Sequence, residues 1–306
     1  MFARTVGKRD TKEEEKTFKI KYLYQVFGIS KQAYYKRIKT ANSKKEDNIK
    51  ILQIVNRIRK LHPRCGTRKL MEYIRPELEA QQLKIGRDAL FTLLRNNDLL
   101  VRKTKRFHIT TDSKHFFYKS PNILKDIALS HAEQAVVCDI TYIKTDQGHG
   151  YLSLVTDPYS KKIMGYALED NMKVEMVKKA LKMAYENFQF THPEKVIHHS
   201  DRGIQYCCPD YADLAEKLGF RLSTTQQYDP YENAIAERIN GILKYEYGLN
   251  RILPDIKTAQ KMIAQAVEIY NTKRIHWSLD LQTPNETHRQ YHKTKYKSYS
   301  KTPRAA

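Results

Sequence analysis

An acidic residue inside an apolar run marks the segment that most constrains how this chain folds. Residues 135–144 read AVVCDITYIK, a pattern typical of a β-strand, with Asp139 near its centre. A buried carboxylate is unfavourable unless a partner or a metal ion compensates its charge. Two further β-rich runs, YLSLVTDPYS and KKIMGYALE, follow after short turn sequences. This spacing predicts an antiparallel meander whose first strand carries the acid.

Helical and β-type patterns alternate after the meander. The run NMKVEMVKKALKMAYENF places apolar side chains on one helical face, and KVIHHSD reads as the next strand. A helix in YADLAEKLG, a strand in FRLSTT and helices at about 233–247 and 258–273 complete the pattern. Up to the first of these last two helices the order is βββαβαβα. It predicts an α/β fold in which helices cover a mixed sheet.

The front of the chain has the pattern of a helix-turn-helix. Residues 18–40, FKIKYLYQVFGISKQAYYKRIKT, contain an apolar helical face that ends at Gly28, and Ser30 can cap the next helix. That helix presents Lys31, Lys36 and Arg37, which suit contacts with phosphates and base edges in a major groove. A small helical hairpin with a solvated surface is the alternative.

A second helical block lies between this segment and the α/β pattern. Three helices are expected: one from Ile49 to about His62, one in TRKLMEYIRPEL and one in RDALFTLLRNNDLL. A basic linker follows, and we expect it to lie along a phosphate backbone through Arg102, Lys103, Lys105 and Arg106. The predicted organisation is a helix-turn-helix over 1–44, a second helical module with the linker over 45–115, a core over 116–290 and a basic tail over 291–306.

The net charge of +21 is distributed unevenly along the chain. Residues 1–130 contain 31 Lys and Arg against 13 Asp and Glu, residues 131–290 contain 19 against 21, and the last sixteen residues add five positive charges. This distribution indicates polyanion binding by the two ends and separate chemistry in the middle. A generally basic, well-solvated surface is the alternative.

The cysteines and the apolar segments argue against several classes of protein. The four cysteines form no C-x-x-C pair and do not match the spacing of a zinc site, which favours buried thiols in a reducing compartment. No segment approaches the ~20 apolar residues of a membrane span, and the first residues lack the apolar part of a signal peptide. We therefore expect an intracellular protein without a membrane partner.

Two more acids complete a set of three with Asp139. Asp201 closes the apolar run of the fourth predicted strand, and ligand sites of α/β sheets gather at such strand ends. Glu237 lies on a predicted helix, with 35 residues between it and Asp201. That helix has a polar stripe, separate from its apolar face, formed by Asn233, Glu237, Asn240 and Lys244. Glu237 can therefore point toward the strand acids, while Lys244 remains available for DNA.

Glu232 and Glu246 are the rival choices for the third acid. Glu232 lies near the start of the helix, where an acid simply complements the helix dipole. Glu246 lies off the face that carries Glu237, so helical spacing favours Glu237. Taken singly, each of the three acids is equally compatible with a solvated position.

Three carboxylates together suit metal-dependent chemistry at phosphorus. Mg²⁺ is a hard cation that prefers oxygen ligands, and two such ions about 4 Å apart can activate a nucleophile and stabilise the leaving oxygen. The nucleophile can be water or a DNA 3′-hydroxyl. The sequence offers no competing Ser–His–Asp or Cys–His grouping and no Walker A loop.

Several ordered motifs carry a resemblance to a known family. The runs DITYI, HSDRGIQY and YDPYENAIAERINGILKYE resemble the catalytic blocks of the retroviral-integrase superfamily, and more closely those of bacterial insertion-sequence transposases of the IS-three family, second reading-frame product. YNTKRIHWSLDLQTPNE resembles that family's closing motif, and RCGTRKL with GRDALFTLLRNNDLL resembles its helix-turn-helix region. The resemblance covers roughly residues 20–290. It departs at Val137, where the family usually has an aromatic residue, and at Ile275, where it usually has proline.

The resemblance implies an RNase H-like core over 116–290 with Asp139, Asp201 and Glu237 as its DDE triad. The triad would bind two Mg²⁺ ions, for which Mn²⁺ can substitute. It would cut at the element's ends to free 3′-hydroxyls and join them to new phosphodiesters. We expect DNA contacts from Lys244, Asn240 and Arg202.

The implied partners are double-stranded DNA at the terminal inverted repeats and the target, further copies of the chain in a synaptic complex, and a first-reading-frame product, fused or separate. The implied location is the bacterial cytoplasm, at the nucleoid. One alternative is an RNase H-like nuclease or resolvase without strand transfer, against which the basic helix-turn-helix front argues. Another is a domesticated DNA-binding regulator with a silent core, against which the three acids argue.

Overall fold

Three helices form a module at the front of the described chain. The computed structural model describes residues 26–101, 116–125, 127–189, 196–226 and 233–290. The module consists of α1 (Lys31–Leu61), α2 (Thr67–Ala80) and α3 (Arg87–Asn96). Its core is made of buried aliphatic side chains from all three helices, among them Ile51, Val55, Leu70, Ile74, Leu90 and Leu94. The module therefore has an apolar core of its own.

Helix α1 is longer than the sequence pattern suggested. Ser30 caps it, with the Ser30 hydroxyl oxygen accepting a hydrogen bond from the Ala33 amide at 3.1 Å, which confirms the predicted cap. The expectation of a separate helix from Ile49 is wrong, because α1 runs through the predicted boundary at residues 44 and 45. The intervening run TANSKKEDN contains neither glycine nor proline, so nothing in it ends a helix.

The predicted DNA-contacting residues of the front divide into two groups. Lys31, Lys36 and Arg37 lie on the first turns of α1 and are exposed. The first helix of the proposed helix-turn-helix, the basic linker residues and the tail over 291–306 lie outside the described residues. Those linker residues are Arg102, Lys103, Lys105 and Arg106.

A five-stranded mixed sheet forms the centre of the second unit. Its strands are β1 (Ala135–Thr145), β2 (Gly148–Thr156), β3 (Ile163–Glu169), β4 (Ile197–Ser200) and β5 (Arg221–Thr224), in the order β3-β2-β1-β4-β5. The first three strands pair antiparallel, which confirms the predicted meander. β4 pairs parallel with β1 and with β5. The acid-bearing strand β1 is therefore central.

Helices cover both faces of this sheet. They are α4 (Val174–Glu186), a four-residue α5 (Ile204–Cys207), α6 (Pro209–Lys217), α7 (Ala234–Glu246) and α8 (Ile256–Lys273). Helices α4 and α6 share one apolar core with the sheet, whereas α7 and α8 share another. A 3₁₀ turn at Trp277–Leu279 and a helical segment over 284–290 follow. This strand order with flanking helices is RNase H-like, and the predicted fold class is confirmed.

Both edge strands of the sheet make close contacts with neighbouring segments. Helix α4 packs so closely on β3 that a methyl group at Gly165 would overlap the backbone carbonyl oxygen of Ala180. The segment 116–125 lies along β5, the edge strand on the other side. No helix within the described ranges is both long and apolar enough to cross a membrane.

The front module is docked onto the RNase H-like unit through Tyr73 of α2. The Tyr73 hydroxyl donates to the Lys273 carbonyl oxygen at 3.2 Å and accepts from the Ile275 amide at 2.9 Å. The imidazole of His62 stacks on the Tyr73 ring, with centroids 4.6 Å apart. The Tyr247 hydroxyl lies 3.5 Å from Nδ1 of His62. The contact thus joins the module to the end of α7 and to the start of the closing motif.

Candidate active site

The first two acids are brought together by the parallel pairing of β1 with β4. Cys138 on β1 stands opposite Ser200 on β4, so the residues that follow them, Asp139 and Asp201, lie side by side. Oδ1 of Asp201 accepts a hydrogen bond from the Gly203 amide at 3.0 Å, which orients its carboxylate. The register of β1 and β4 therefore places the two acids on adjacent strands.

Asp139 is partly buried and in contact with one side chain from α7. The Asn240 amide donates to Oδ2 of Asp139 at 2.8 Å. Burial raises the pKa of Asp139 to about 7, the charges of Asp201 and Glu237 act in the same direction, and the hydrogen bond from Asn240 opposes them. The ionised form of this carboxyl group is therefore disfavoured, and a positive charge beside it would stabilise that form.

Glu237 lies in the first turn of α7 and is exposed. Its charge raises the pKa of Asp139, so it stands on the same side of the molecule as the two strand acids. The rival Glu246 lies at the far end of α7, where Arg274 donates to both of its carboxylate oxygens at 2.8 Å. Glu246 is therefore engaged elsewhere. The other rival, Glu232, lies outside the described residues.

The polar stripe of α7 divides into supporting and open residues. Asn233 donates to the Cys138 carbonyl oxygen at 3.0 Å, which ties the start of the helix to β1. Asn240 is 4% exposed and its amide is bound to Asp139, so its contact in the structure is with the acid, and the predicted contact with DNA stays a prediction. The sequence contains a signal for this supporting role. Asn233 and Asn240 lie at helical spacing from Glu237, on a helix whose apolar face packs next to the strand that carries an acid.

Two basic residues stand beside the acids. Lys244 is partly buried, and its amino group lies 5.4 Å from the centre of the Tyr142 ring. Burial lowers the pKa of Lys244, whereas the nearby charge of Asp139 raises it. Nε of Arg202 donates to the Thr225 carbonyl oxygen at 2.5 Å. The charge of Asp139 thus acts on Lys244, and Arg202 follows Asp201 directly in the chain; contacts of either residue with DNA stay predictions.

The donor set suits a hard divalent cation, although the side chains are not arranged as a finished ligand cage. Across the described ranges, no group of three His, Cys, Asp or Glu side chains has the arrangement of a metal site. Asp139, Asp201 and Glu237 nevertheless offer only oxygen donors. After burial, the charges of Asp201 and Glu237 raise the pKa of Asp139, and a bound cation would relieve this repulsion. The buried Oδ1 of Asn240 also has no hydrogen-bond partner. These features fit a divalent metal.

Comparison with known proteins identifies the family. Two models described as "Integrase core domain" match residues 130–230 and 218–284. The "Insertion element IS600 uncharacterized 31 kDa protein" of Shigella sonnei is 32% identical over 272 residues, which cover 88% of this chain and 98% of that protein. The chain belongs to the IS-three family of insertion-sequence transposases. "Transposase InsF for insertion sequence IS3A" of Escherichia coli strain K12 is 32% identical over 171 residues, 56% of this chain and 59% of InsF.

A solved structure shows a weaker likeness to the transposase. It is a chain of the simian T-cell lymphotropic virus intasome in complex with PP2A regulatory subunit B56 gamma, with 16% identity and a TM-score of 0.45. That likeness covers 82% of this chain and 76% of the other.

Family membership gives the class of reaction. The transposase is a DDE polynucleotidyl transferase that acts in DNA transposition. DDE integrases generally use divalent metal ions. The closing motif lies largely inside the second family match, which ends at residue 284.

Proposed function

We propose that the transposase cleaves DNA at its element's ends and transfers the freed 3′-hydroxyls to new phosphodiesters, with Asp139, Asp201 and Glu237 as its catalytic carboxylates. The single observation that best supports this assignment is the raised pKa of Asp139, which arises first from burial and then from the charges of Asp201 and Glu237. Strongly perturbed acids that repel each other in one place are characteristic of catalytic sites. The proposal names the step, cleavage followed by joining, that family membership leaves open.

The three carboxylates would hold two Mg²⁺ ions, and Mn²⁺ would serve in their place. Bound ions of this kind supply activation of the attacking oxygen and compensation of charge on the leaving oxygen. The chain's own residues prepare the site. Asn240 holds one oxygen of Asp139 in a fixed direction, and Asn233 ties the start of α7 to β1. These contacts keep the helix that carries Glu237 against the acid-bearing strand.

The proposed DNA contacts follow the basic residues outward from the acids. Lys244 and Arg202 would meet the phosphates of the strand being cut, because they flank the carboxylates. Lys31, Lys36 and Arg37 would contact duplex DNA from the exposed start of α1. Contacts from the basic linker stay a prediction.

The proposed partners are the duplex DNA of the element's terminal inverted repeats, the target DNA, and further copies of the chain in a synaptic complex. A first-reading-frame product, fused or separate, would join them. Binding to chromosomal DNA would place the transposase at the nucleoid.

An oligonucleotide assay with the variant Asp139→Asn tests the proposal. The substrate carries one element end with a labelled strand, so that cleaved strands and joined strands are separated by length. Loss of this carboxylate is expected to lower the cleavage rate by roughly 10³-fold or more, because its charge is removed where charge develops in the transition state. DNA binding without metal is expected to change little.

The matched control is Asp146→Asn, the same change at an exposed acid beyond the end of β1. It is expected to cleave and join as the parent does. Cleavage in Mg²⁺ by the Asp139 variant at the parental rate would contradict the assignment. Cleavage without joined products by the parent protein would instead favour a nuclease.

A further inference from the structure

Two aromatic side chains stand almost fully in solvent on the segment that leads into the sheet. Phe116 is 92% exposed and Tyr118 is 79% exposed, more than any other large hydrophobic side chain in the described part of the chain. Large aromatic side chains usually bury most of their surface, and exposed clusters of them commonly mark a binding surface. We therefore expect this pair of rings to be covered by a ligand.

The segment that carries the pair is anchored rather than loose. The Thr224 hydroxyl donates to the Ser120 carbonyl oxygen at 2.6 Å, and the Ile123 amide donates to the Ser223 hydroxyl oxygen at 3.0 Å. Both bonds use side chains of β5, which is the edge of the sheet. The sheet thus holds this segment at Ser120 and Ile123, and Tyr118 precedes the first of these anchors by two residues.

The anchor lies at the same end of the sheet as the acids. The Thr225 amide donates to the Ser200 carbonyl oxygen at 3.0 Å, one residue before Asp201. The Thr225 carbonyl oxygen in turn accepts from Arg202 at 2.5 Å. The anchor at Ser120, two residues after Tyr118, is therefore connected through Thr224, Thr225 and Ser200 to the residue before Asp201.

Positive charge accompanies the rings. Burial raises the pKa of the Cys207 thiol to about 11; the charge of Asp201 raises it further, whereas Lys119 and Arg202 lower it. Lys119 follows Tyr118 directly, and both its charge and that of Asp201 act on the Cys207 thiol. Rings next to cations suit a polyanion with flat, apolar faces.

We propose that Phe116 and Tyr118 form a stacking platform for unpaired bases of the DNA strand beside the carboxylate site. Every base has a face that can stack on an aromatic ring, and cations beside such rings contact the connecting phosphates. In a duplex those faces are covered by neighbouring bases, so the ligand is a single-stranded or frayed stretch. The inference rests on the proposed function only for the identity of the strand that occupies the platform.

A binding assay without catalysis tests the platform. The full chain in EDTA is titrated into a labelled single-stranded oligothymidylate and, separately, into a blunt duplex of equal length at the same salt concentration. Phe116→Ala and Tyr118→Ala are each expected to weaken single-strand binding about tenfold, because stacking contributes roughly that much per base. Duplex binding is expected to stay within about twofold, since the duplex offers no free base face.

The controls separate stacking from other losses. Tyr118→Phe keeps the ring and is expected to bind as the parent does. Tyr185→Ala removes an exposed aromatic ring from α4 and is also expected to leave both affinities unchanged. With 2-aminopurine in the single strand, the parent and Tyr118→Phe are expected to quench its fluorescence, whereas Tyr118→Ala is not.

Three results for the double alanine variant of Phe116 and Tyr118 would overturn the platform. The first is unchanged single-strand binding, and the second is an equal loss of single-strand and duplex binding. The third is loss of self-association, which would assign the rings to contact with a second copy of the chain. Because the assay contains no metal and measures no cleavage, its outcome is independent of the Asp139 test. Failure of the catalytic assignment and failure of the platform are therefore distinguishable.

Discussion

Removing the proposed catalytic carboxyl at Asp139 is expected to stabilise the metal-free protein at alkaline pH. Asp139 has a pKa of about 7 in the folded chain, chiefly because of burial and then because of Asp201, against about 3.9 for an unperturbed aspartate. Asn in Asp139→Asn has nearly the same shape and can still accept the hydrogen bond from Asn240. The substitution thus removes the charge and little else.

The sign of the effect follows from proton binding. Between about pH 4 and pH 7 the folded protein holds a proton on Asp139 that the unfolded chain has released, so the free energy of unfolding falls as the pH rises. Each pKa unit corresponds to about 1.4 kcal/mol. The destabilisation that Asn relieves is therefore about 1–2 kcal/mol at about pH 5 and about 4 kcal/mol at about pH 8.

Urea unfolding in EDTA at these two pH values measures the difference. The variant is expected to be more stable than the parent, with an advantage that grows by about 2–3 kcal/mol from acid to alkaline pH. Added Mg²⁺ should stabilise the parent more than the variant, because the ion binds only the folded state and needs the carboxylate. Asp146→Asn, at an exposed acid, is expected to show no such trend. A variant advantage that is equal at both pH values would refute the reasoning.

Two further predictions concern stability. Arg274→Met is expected to lower the free energy of unfolding in urea by about 3 kcal/mol, because it leaves the partly buried Glu246 without its partner. Adding Glu246→Gln should recover much of this loss. Equal losses in the single and double variants would count against the prediction. Gly165→Ala is expected to cost about 1–3 kcal/mol through overlap with the backbone at Ala180. Gly241→Ala, where the added methyl group meets nothing within 4 Å, should instead stabilise by about 0.5–1 kcal/mol, and the same sign for both would contradict the packing argument.

Patterns with strong periodicity predicted the fold well. The meander and the alternation after it follow from period-2 and helical apolar spacing, which local chemistry largely determines. The preference for Glu237 over Glu246 came from helical spacing alone. The contact of Arg274 with Glu246 supplies a physical reason for it, since that acid is already paired.

The features that the sequence did not reveal depend on contacts between distant residues. Nothing local to Asn240 shows that Asp139, 101 positions earlier, is its partner, so the sequence suggested only a contact with DNA. The continuity of α1 was missed because an apolar stripe begins only near Ile49, although the polar run before it has no helix breaker. The anchoring of the segment at 116–125 likewise depends on side chains of β5 that lie about a hundred residues away.

The docking of the front module through Tyr73 has a mechanical consequence. Its hydroxyl bridges two backbone groups that flank Arg274, and Arg274 binds the last residue of α7, whereas Glu237 occupies the first turn of the same helix. Glu237 and Glu246 are nine positions apart, so about 14 Å of rigid α-helix separates them. The module cannot rotate against the RNase H-like unit without breaking the Tyr73 hydrogen bonds or moving α7. While the Tyr73 bonds hold, a rotation of the front helices is therefore transmitted to the helix that carries Glu237.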